Sequence, residues 1–295
     1  MNTVSIFSPA KINLLLAVTG RRADGYHDLL SVVAPVELGD TLRIEPRAGG
    51  EFALECDDTA VPLGEDNLVL RAARIFAEAT GWDGGARFFL EKGIPMGAGL
   101  GGGSSNAVAA LRGLNSLTGG LLDAAALATL ASRVGSDCAL FLPGGPVVMR
   151  GRGERVEPLA AEAVARLRGR RVLIFKPSFG IGTPWAYAQL AAGGEKKYLP
   201  ATEAEARLAA WLDDAKQPAE VLLFNSFEQP VFLKFPALPV LLEALGTEFG
   251  LAVRMSGSGS ACFALLPADA AVEAVRARIR EAWGAAAWVA ETRIS

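Results

Sequence analysis

Histidine is almost absent from this sequence: His27 is the one imidazole in 295 residues. That excludes metal centres built from several histidines and leaves a serine or cysteine nucleophile a single partner base. Cysteine is nearly as scarce. Cys56, Cys138 and Cys262 lie far apart with no C-x-x-C spacing, so neither a disulfide framework nor a zinc site is indicated and reduced core thiols are expected. A basic excess is missing too. With 29 Lys and Arg against 32 Asp and Glu the net charge is −3, which is not the balance of a protein that grips nucleic acid through its phosphates. Any polyanionic ligand must therefore be met by a local cluster. No apolar run approaches the roughly 18 residues of a membrane span, and MNTVSIFSPAK lacks the charged and apolar regions of a signal peptide, so no membrane partner and a cytoplasmic location are expected. Repeats and low-complexity segments are lacking as well. What the chain does have is apolar mass, 51% of its residues, enough to fill two domains or one large one.

Its glycine is concentrated where it carries chemistry. The stretch IPMGAGLGGGSSNAVAA, from Ile94 to Ala110, sets glycines at 97, 99, 101, 102 and 103 ahead of Ser104, Ser105 and Asn106 and of an apolar helical pattern at Ala107, Ala110, Leu111, Leu114 and Leu117. Glycines let backbone N–H groups approach a ligand, and a helix N-terminus adds unpaired donors and a positive dipole end, so the stretch reads as an anion cradle. Two familiar phosphate motifs do not explain it. The Gly-Lys-Ser or Gly-Lys-Thr of a P-loop occurs nowhere. Gly97, Gly99 and Gly102 match G-x-G-x-x-G, but Glu91 to Pro95 separate the first glycine from the apolar run Arg87 to Leu90, where a dinucleotide fold wants it directly after a strand. A flexible linker does not usually hand over to a capped amphipathic helix.

Elsewhere the apolar segment Val4 to Val18 reads as a buried strand carrying Lys11 and Asn13, where the lysine either snorkels at a strand end or serves a ligand. Gly20 to Asp28, GRRADGYHD, places two arginines, a tyrosine and the histidine around an Asp24-Gly25 turn: a hairpin tip, or a constellation suited to a base and a phosphate. Leu68 to Ala79 is an amphipathic helix capped by Asp66 or Asn67, and a second helix runs from its cap Asp123 to Gly135. Asp137 stands between two apolar stretches, either capping a short helix or held at the edge of a cleft. The charged stretch Glu154 to Arg171 marks a domain boundary. Beyond it strands alternate with helices around a second glycine loop, Ser256 to Gly259, as in an α/β layer domain.

SPAKINLLL, GRRADGYHDL, IPMGAGLGGGSSNA, the GSD before an apolar run, and MSGSGSACF occur in the order found in the GHMP kinase superfamily, and the resemblance extends from Ser8 to about Leu265. It implies an α+β fold of two domains, a ribosomal-protein-like α/β domain over 1–155 that binds ATP and a ferredoxin-like α/β domain over 156–295 on the substrate side. It implies an ATP-dependent kinase using Mg²⁺, with Lys11 and Asp137 as the catalytic pair, Asp137 the base and Lys11 its electrostatic partner. Pro95, Met96, Gly97, Ala98, Gly99, Leu100, Gly101, Gly102, Gly103, Ser104 and Ser105 would wrap the ATP phosphates, with Asn67 and Lys92 near adenine.

The loop Asp24 to His27 after Lys11 and Asn13 is similar to that of the branch acting on a cytidine diphosphate-linked polyol of the non-mevalonate isoprenoid route. On that likeness Asn13, Tyr26, His27 and Thr183 would contact substrate, Tyr187 would stack on the base, and Arg21 and Arg22 are further candidates. A mevalonate-like or homoserine kinase, or a nucleotide-binding module without chemistry, are the alternatives. One position departs from the pattern: Ala139 stands where such kinases usually have a proline. Phosphoryl transfer needs charge neutralised on the triphosphate, a hydroxyl nucleophile and a proton acceptor, and none of these requires the histidine. No protein metal ligand is implied, since phosphate oxygens and water mainly hold the Mg²⁺, and either a monomer or a homodimer fits.

Overall fold

The computed structural model describes residues 3–194 and 197–295. Contacts divide it otherwise than a cut between 155 and 156: one compact unit takes the chain up to Ala10 with Leu38–Met96 and Gly101–Gly144, the other Lys11–Glu37, Gly97–Leu100 and Gly145–Ser295. The reason lies in two strands, β1 (Val4–Arg21) and β2 (His27–Arg47), of 18 and 21 residues. Each changes unit partway along, with no linker and hence no shift in composition to mark the change.

In the first unit the second half of β2 pairs antiparallel with β4 (Gly85–Glu91), from Thr41 opposite Glu91 to Arg47 opposite Gly85. β3 (Phe52–Cys56) runs parallel to β4, and the crossover between them is α1 (Leu68–Thr80). Asn67 is the cap of α1: its Oδ1 accepts from Val69 N at 2.9 Å, and Gly81 in the left-handed region ends the helix. α1 packs on α2 (Gly102–Leu117) and α3 (Ala124–Val134), the latter capped by Asp123. Ala107, Ala110, Leu111 and Leu114 are the buried face that the sequence spacing predicts for α2. Gly113 lies on that face where the Ile44 side chain packs close: a Cβ there would sit 2.2 Å from Ile44 Cδ1, so a larger residue needs that side chain to move.

In the second unit Leu29–Val33 of β2 pair with β5 (Val147–Gly151), which pairs with β6 (Arg155–Pro158). Leu15 and Leu16 of β1 run parallel to the two residues of β8 (Phe224–Asn225). A separate antiparallel sheet has the order β11 (Trp288–Arg293), β7 (Arg171–Lys176), β10 (Cys262–Leu265), β9 (Ala252–Met255). Helices α4 (Ala161–Leu167), α5 (Thr183–Ala192), α6 (Ala201–Asp213), α7 (Glu228–Lys234), α8 (Ala237–Phe249) and α9 (Val272–Trp283) complete the unit. Leu173 and Phe175 of β7 join Leu241 and Leu245 of α8 and Val275 and Ile279 of α9 in one core. The charged stretch expected to be a boundary contains β6 and α4, because a short helix with only Ala163 and Leu167 buried needs little apolar sequence. Among the described residues no single helix is long and apolar enough to cross a membrane.

Replacing Gly113 by Val should destabilise the protein by about 1 to 3 kcal/mol, the usual cost of overfilling a packed core. Ile44→Val removes the colliding Cδ1, so the double variant should recover part of that loss in thermal unfolding. Strict additivity of the two changes would show that the close approach is not what requires glycine.

Candidate active site

In the second unit the buried ammonium of Lys11 sets the geometry. Lys11 is 4% exposed, and its Nζ donates to Asn13 Oδ1 at 2.6 Å and to Gly99 O at 2.5 Å. Lys11 N donates to Leu100 O at 3.0 Å, so the glycine loop docks on this strand through main chain and side chain together. Gly97 and Gly99 have φ of 60° and 75°, values that turn the loop's carbonyls and amides to alternate sides and that L side chains rarely adopt. Space gives a second reason at Gly99, where a Cβ would meet Ser256 O at 2.3 Å.

The second glycine loop is held by two asparagines. Asn13 Oδ1 accepts from Gly257 N at 3.0 Å, while Asn225 Nδ2 donates to Met255 O at 2.7 Å and to Gly257 O at 2.9 Å. Asn225 sits in β8, beside β1, so both peptide groups of Gly257 are fixed from adjacent strands. Thr183 Oγ1 and Ser258 Oγ lie 2.8 Å apart, which ties the start of α5 to the same loop. Glu228 Oε1 accepts from Met255 N at 2.9 Å, and burial pushes its carboxyl up to about 7.

In the first unit α2 begins at Gly102 with Gly101 at φ 74° and no side chain capping it, two residues earlier than the Ser104 start suggested by sequence. The first amides of a helix have no intrahelical acceptor, which is the arrangement that anion sites use. Beneath them is a buried polar cluster. Asp40 Oδ1 accepts from Gly93 N and Ile94 N, each at 2.8 Å, and Oδ2 accepts from Lys92 Nζ and from Asn106 Nδ2 at 2.9 Å. Asn106 also donates to Ser8 Oγ at 2.9 Å, and Ser8 Oγ to Ser105 Oγ at 2.8 Å. The Lys92 and Asp40 side chains are 7% and 0% exposed, so the lysine expected near adenine has its charge spent on Asp40. Asn67, expected there too, caps α1 and donates to Pro62 O at 2.7 Å. Asp137 is exposed, in the turn before a 3-10 helix at Ala139–Phe141, and Ala139 fills the buried first position of that helix. The adjoining Cys138 is buried, and its thiol is pushed up to about 12, so it is not nucleophilic.

Around His27 the second unit gathers two tyrosine rings. Its centroid lies 4.9 Å from that of Tyr187 and 5.8 Å from that of Tyr198, and Tyr198 Oη is 3.2 Å from Nε2. Tyr187 also meets Phe227 edge-on at 4.8 Å. Burial, then the nearby Arg21 charge, hold the imidazole below its ordinary pKa. Tyr26 does not share this cluster: it is 57% exposed, with the Arg152 guanidinium 4.8 Å from its ring centre. Arg22 is bound by Asp24 and Asp28. Sequence reasoning missed Asp40, Asn225 and Tyr198. Asp40 stands between Gly39 and Thr41 and Asn225 between Phe224 and Ser226, with no local pattern to mark either, and Tyr198 is far from any motif.

The Asp40 cluster yields a stability test. Lys92→Met leaves a buried carboxylate without its counter-charge and should cost about 3 to 5 kcal/mol in denaturant unfolding. A lysine whose role is nucleotide contact would leave the free protein's stability unchanged.

Comparison with known proteins fits this geometry. The family model described as GHMP kinases N terminal domain matches residues 67–147, and that described as GHMP kinases C terminal matches residues 206–285. A 4-diphosphocytidyl-2-C-methyl-D-erythritol kinase of Synechococcus sp. (strain CC9902) is 40% identical over 271 residues, covering 89% of this chain and 87% of that protein. One of Prochlorococcus marinus (strain MIT 9313) is 38% identical over 291 residues, covering 96% and 90%. A crystal structure of 4-(cytidine 5'-diphospho)-2C-methyl-D-erythritol kinase superposes with a TM-score of 0.77 at 38% identity, over 99% of this chain and 100% of that one. A homoserine kinase from Cytophaga hutchinsonii shares the fold alone, with a TM-score of 0.74 at 18% identity over 100% of this chain and 95% of its own. The chain belongs to the GHMP kinases and, within them, to the family of the 4-diphosphocytidyl-2-C-methyl-D-erythritol kinases.

Proposed function

We propose that the chain uses ATP with Mg²⁺ to phosphorylate a hydroxyl of 4-diphosphocytidyl-2-C-methyl-D-erythritol, a step of isoprenoid precursor synthesis, with Asp137 as base and Lys11 as the group that bears charge on the transferring phosphoryl. The observation that carries this reading is the Lys11 arrangement: a buried ammonium bonded to the glycine-loop carbonyl of Gly99 and to the asparagine that holds the second glycine loop. A cation fixed there is preorganised and needs no rearrangement when charge develops on a phosphoryl oxygen. Pro95 to Ser105 would hold the triphosphate, because left-handed glycines at 97, 99 and 101 and the uncapped start of α2 offer successive amides. Asp137, exposed and ahead of a short helix, is free to receive the hydroxyl proton. Asn13, Thr183, Tyr26, His27 and Tyr187 would hold the substrate, and Asn67 and Lys92 would lie near adenine, the first from the cap of α1 and the second from its pairing with Asp40.

Among the described residues no group of three or more His, Cys, Asp or Glu could hold a metal; in the proposed reaction Mg²⁺ would be carried on phosphate oxygens and water. Bound so, the ion would neutralise charge on the phosphates. The reading includes a cytoplasmic location, action as monomer or homodimer, and no nucleic-acid or membrane partner.

Asp137→Asn should keep ATP affinity while kcat falls by roughly 10²- to 10⁴-fold, the span for losing a positioned base. A variant keeping half of the parental kcat at saturating substrate removes Asp137 from the mechanism. Lys11→Ala should depress kcat even at saturating ATP, whereas a change in the ATP KM alone would make it a binding residue.

Base recognition is tested with linked polyols. Cytosine and uracil offer opposite donors and acceptors at N3 and C4, and a mispaired buried polar group costs about 1 to 3 kcal/mol, so the cytidine compound should be favoured roughly tenfold or more. Tyr187→Ala should remove stacking of about 1 to 3 kcal/mol. Equal turnover of both compounds, or faster turnover of mevalonate or homoserine, sinks the narrow assignment.

A further inference from the structure

An imidazole distinguishes cytosine from uracil only if its proton is on the correct nitrogen. At N3 cytosine is an acceptor and uracil a donor, so a protonated ring nitrogen suits the first and a bare one the second. Tyr198 supplies the means of choosing. Its hydroxyl lies 3.2 Å from His27 Nε2, and the next residue is anchored, Leu199 N donating to Val18 O of β1 at 3.1 Å. Tyr187 packs on the imidazole at 4.9 Å and limits its tilt. Among the described residues the contact with Tyr198 is the hydrogen bond made by the His27 ring, which leaves Nδ1 available to a ligand. Burial and Arg21 lower the pKa of the ring and so favour its neutral form, which has a single proton to place. A phenol O–H is a stronger donor than a neutral imidazole N–H, and the imidazole nitrogen is the better acceptor, so the shared hydrogen is the phenol's.

We propose that Tyr198 determines base specificity by acting through His27: its hydroxyl donates to Nε2, which keeps the imidazole proton on Nδ1, and Nδ1–H then donates to N3 of cytosine and opposes N3–H of uracil. This rests on the base-recognition reading above and adds to it a residue outside every motif in the sequence. Tyr198 is a positioning residue, since it sets the state of the group that reads the base. The sequence offers no second histidine to obscure the measurement.

The test combines ¹⁵N NMR of the one histidine with turnover of both linked polyols by the full chain. In the parental protein without ligand, the ¹⁵N shifts should report the Nδ1–H tautomer, and adding cytidine diphosphate should move the Nδ1 signal. Tyr198→Phe, which keeps the ring but removes the hydroxyl, should shift the population toward Nε2–H, the form neutral histidine favours in water. The same variant should lower kcat/KM for the cytidine compound by roughly tenfold while leaving the uridine compound unchanged or improved, narrowing the ratio between them. Turnover of ATP at saturating cytidine substrate should change less than the KM for that substrate. An Nε2–H tautomer in the parental protein, or a Tyr198→Phe variant with unchanged tautomer and unchanged base ratio, overturns the role of Tyr198. A parental histidine signal that cytidine diphosphate leaves unmoved overturns the base-recognition reading itself, whatever the tautomer.

Discussion

An ammonium group taken out of water must be given acceptors, and much of the second unit follows from supplying them to Lys11. Leaving such a charge unpaired in a protein interior costs several kcal/mol, so the two acceptors at 2.5 and 2.6 Å are a condition of the fold as much as a feature of the site. One acceptor is a main-chain carbonyl. Presenting it inward requires the left-handed turn at Gly99, and the loop can reach that position only where Ser256 O leaves no room for a Cβ. The other acceptor, Asn13 Oδ1, is shared with Gly257 N, and Gly257 is confined in turn: a Cβ there would lie 2.8 Å from Gly99 O and 3.1 Å from Lys11 Nζ. Glycine at these positions is therefore imposed by the lysine at least as directly as by any phosphate.

This coupling bears on how the site changes with sequence. Asn13 Nδ2 donates to Ser31 Oγ at 2.9 Å, and Ser31 Oγ donates to Leu15 O at 2.6 Å, so the amide cannot turn over without breaking both. With its orientation fixed, Oδ1 is committed to Lys11 and Gly257. Asn225 completes the arrangement at the next peptide group, through Gly257 O, while its own Oδ1 accepts from Phe227 N at 2.9 Å. Networks of this kind lose more than one bond when one member is removed. Exchanging Asn13 or Asn225 for aspartate, nearly the same shape, replaces a donor by an acceptor at a carbonyl or hydroxyl and introduces a second charge, so shape alone does not preserve the loop.

How much of this could be read beforehand depends on whether a residue's signal is local. The glycine loop, the helix after it, the caps at Asn67 and Asp123 and the alternating second half rest on spacing and turn chemistry within about ten residues, and the structure has each of them. Lys11 and Asn13 stood out because charge and amide inside an apolar strand demand partners, although the partners, at 99 and 257, lie far along the chain. Asp40 and Lys92 were harder. Asp40 is an ordinary polar residue inside a long strand and Lys92 one just past a strand end, and only a pairing 52 positions apart reveals that they neutralise one another. The division into units was illegible for a related reason: long strands that change unit partway along have no turn or composition step to betray it.

Substrate choice lives in a different layer from the fold. In the proposed reaction phosphate handling would use backbone amides and one cation, groups that serve any hydroxyl acceptor, and the same scaffold carries kinases for unrelated small molecules. What would single out a pyrimidine must then come from side chains, and the second unit sets two tyrosine rings beside the one imidazole. An imidazole is suited to the task because one hydrogen bond, made at a nitrogen away from the ligand, decides whether the other nitrogen donates or accepts. The proposed chemistry leaves histidine out of phosphoryl transfer, which allows the one histidine to sit half-buried with its pKa lowered by burial and Arg21. A catalytic histidine would need to exchange its proton in every turnover, and could not also keep that proton fixed as the mark by which a base is read.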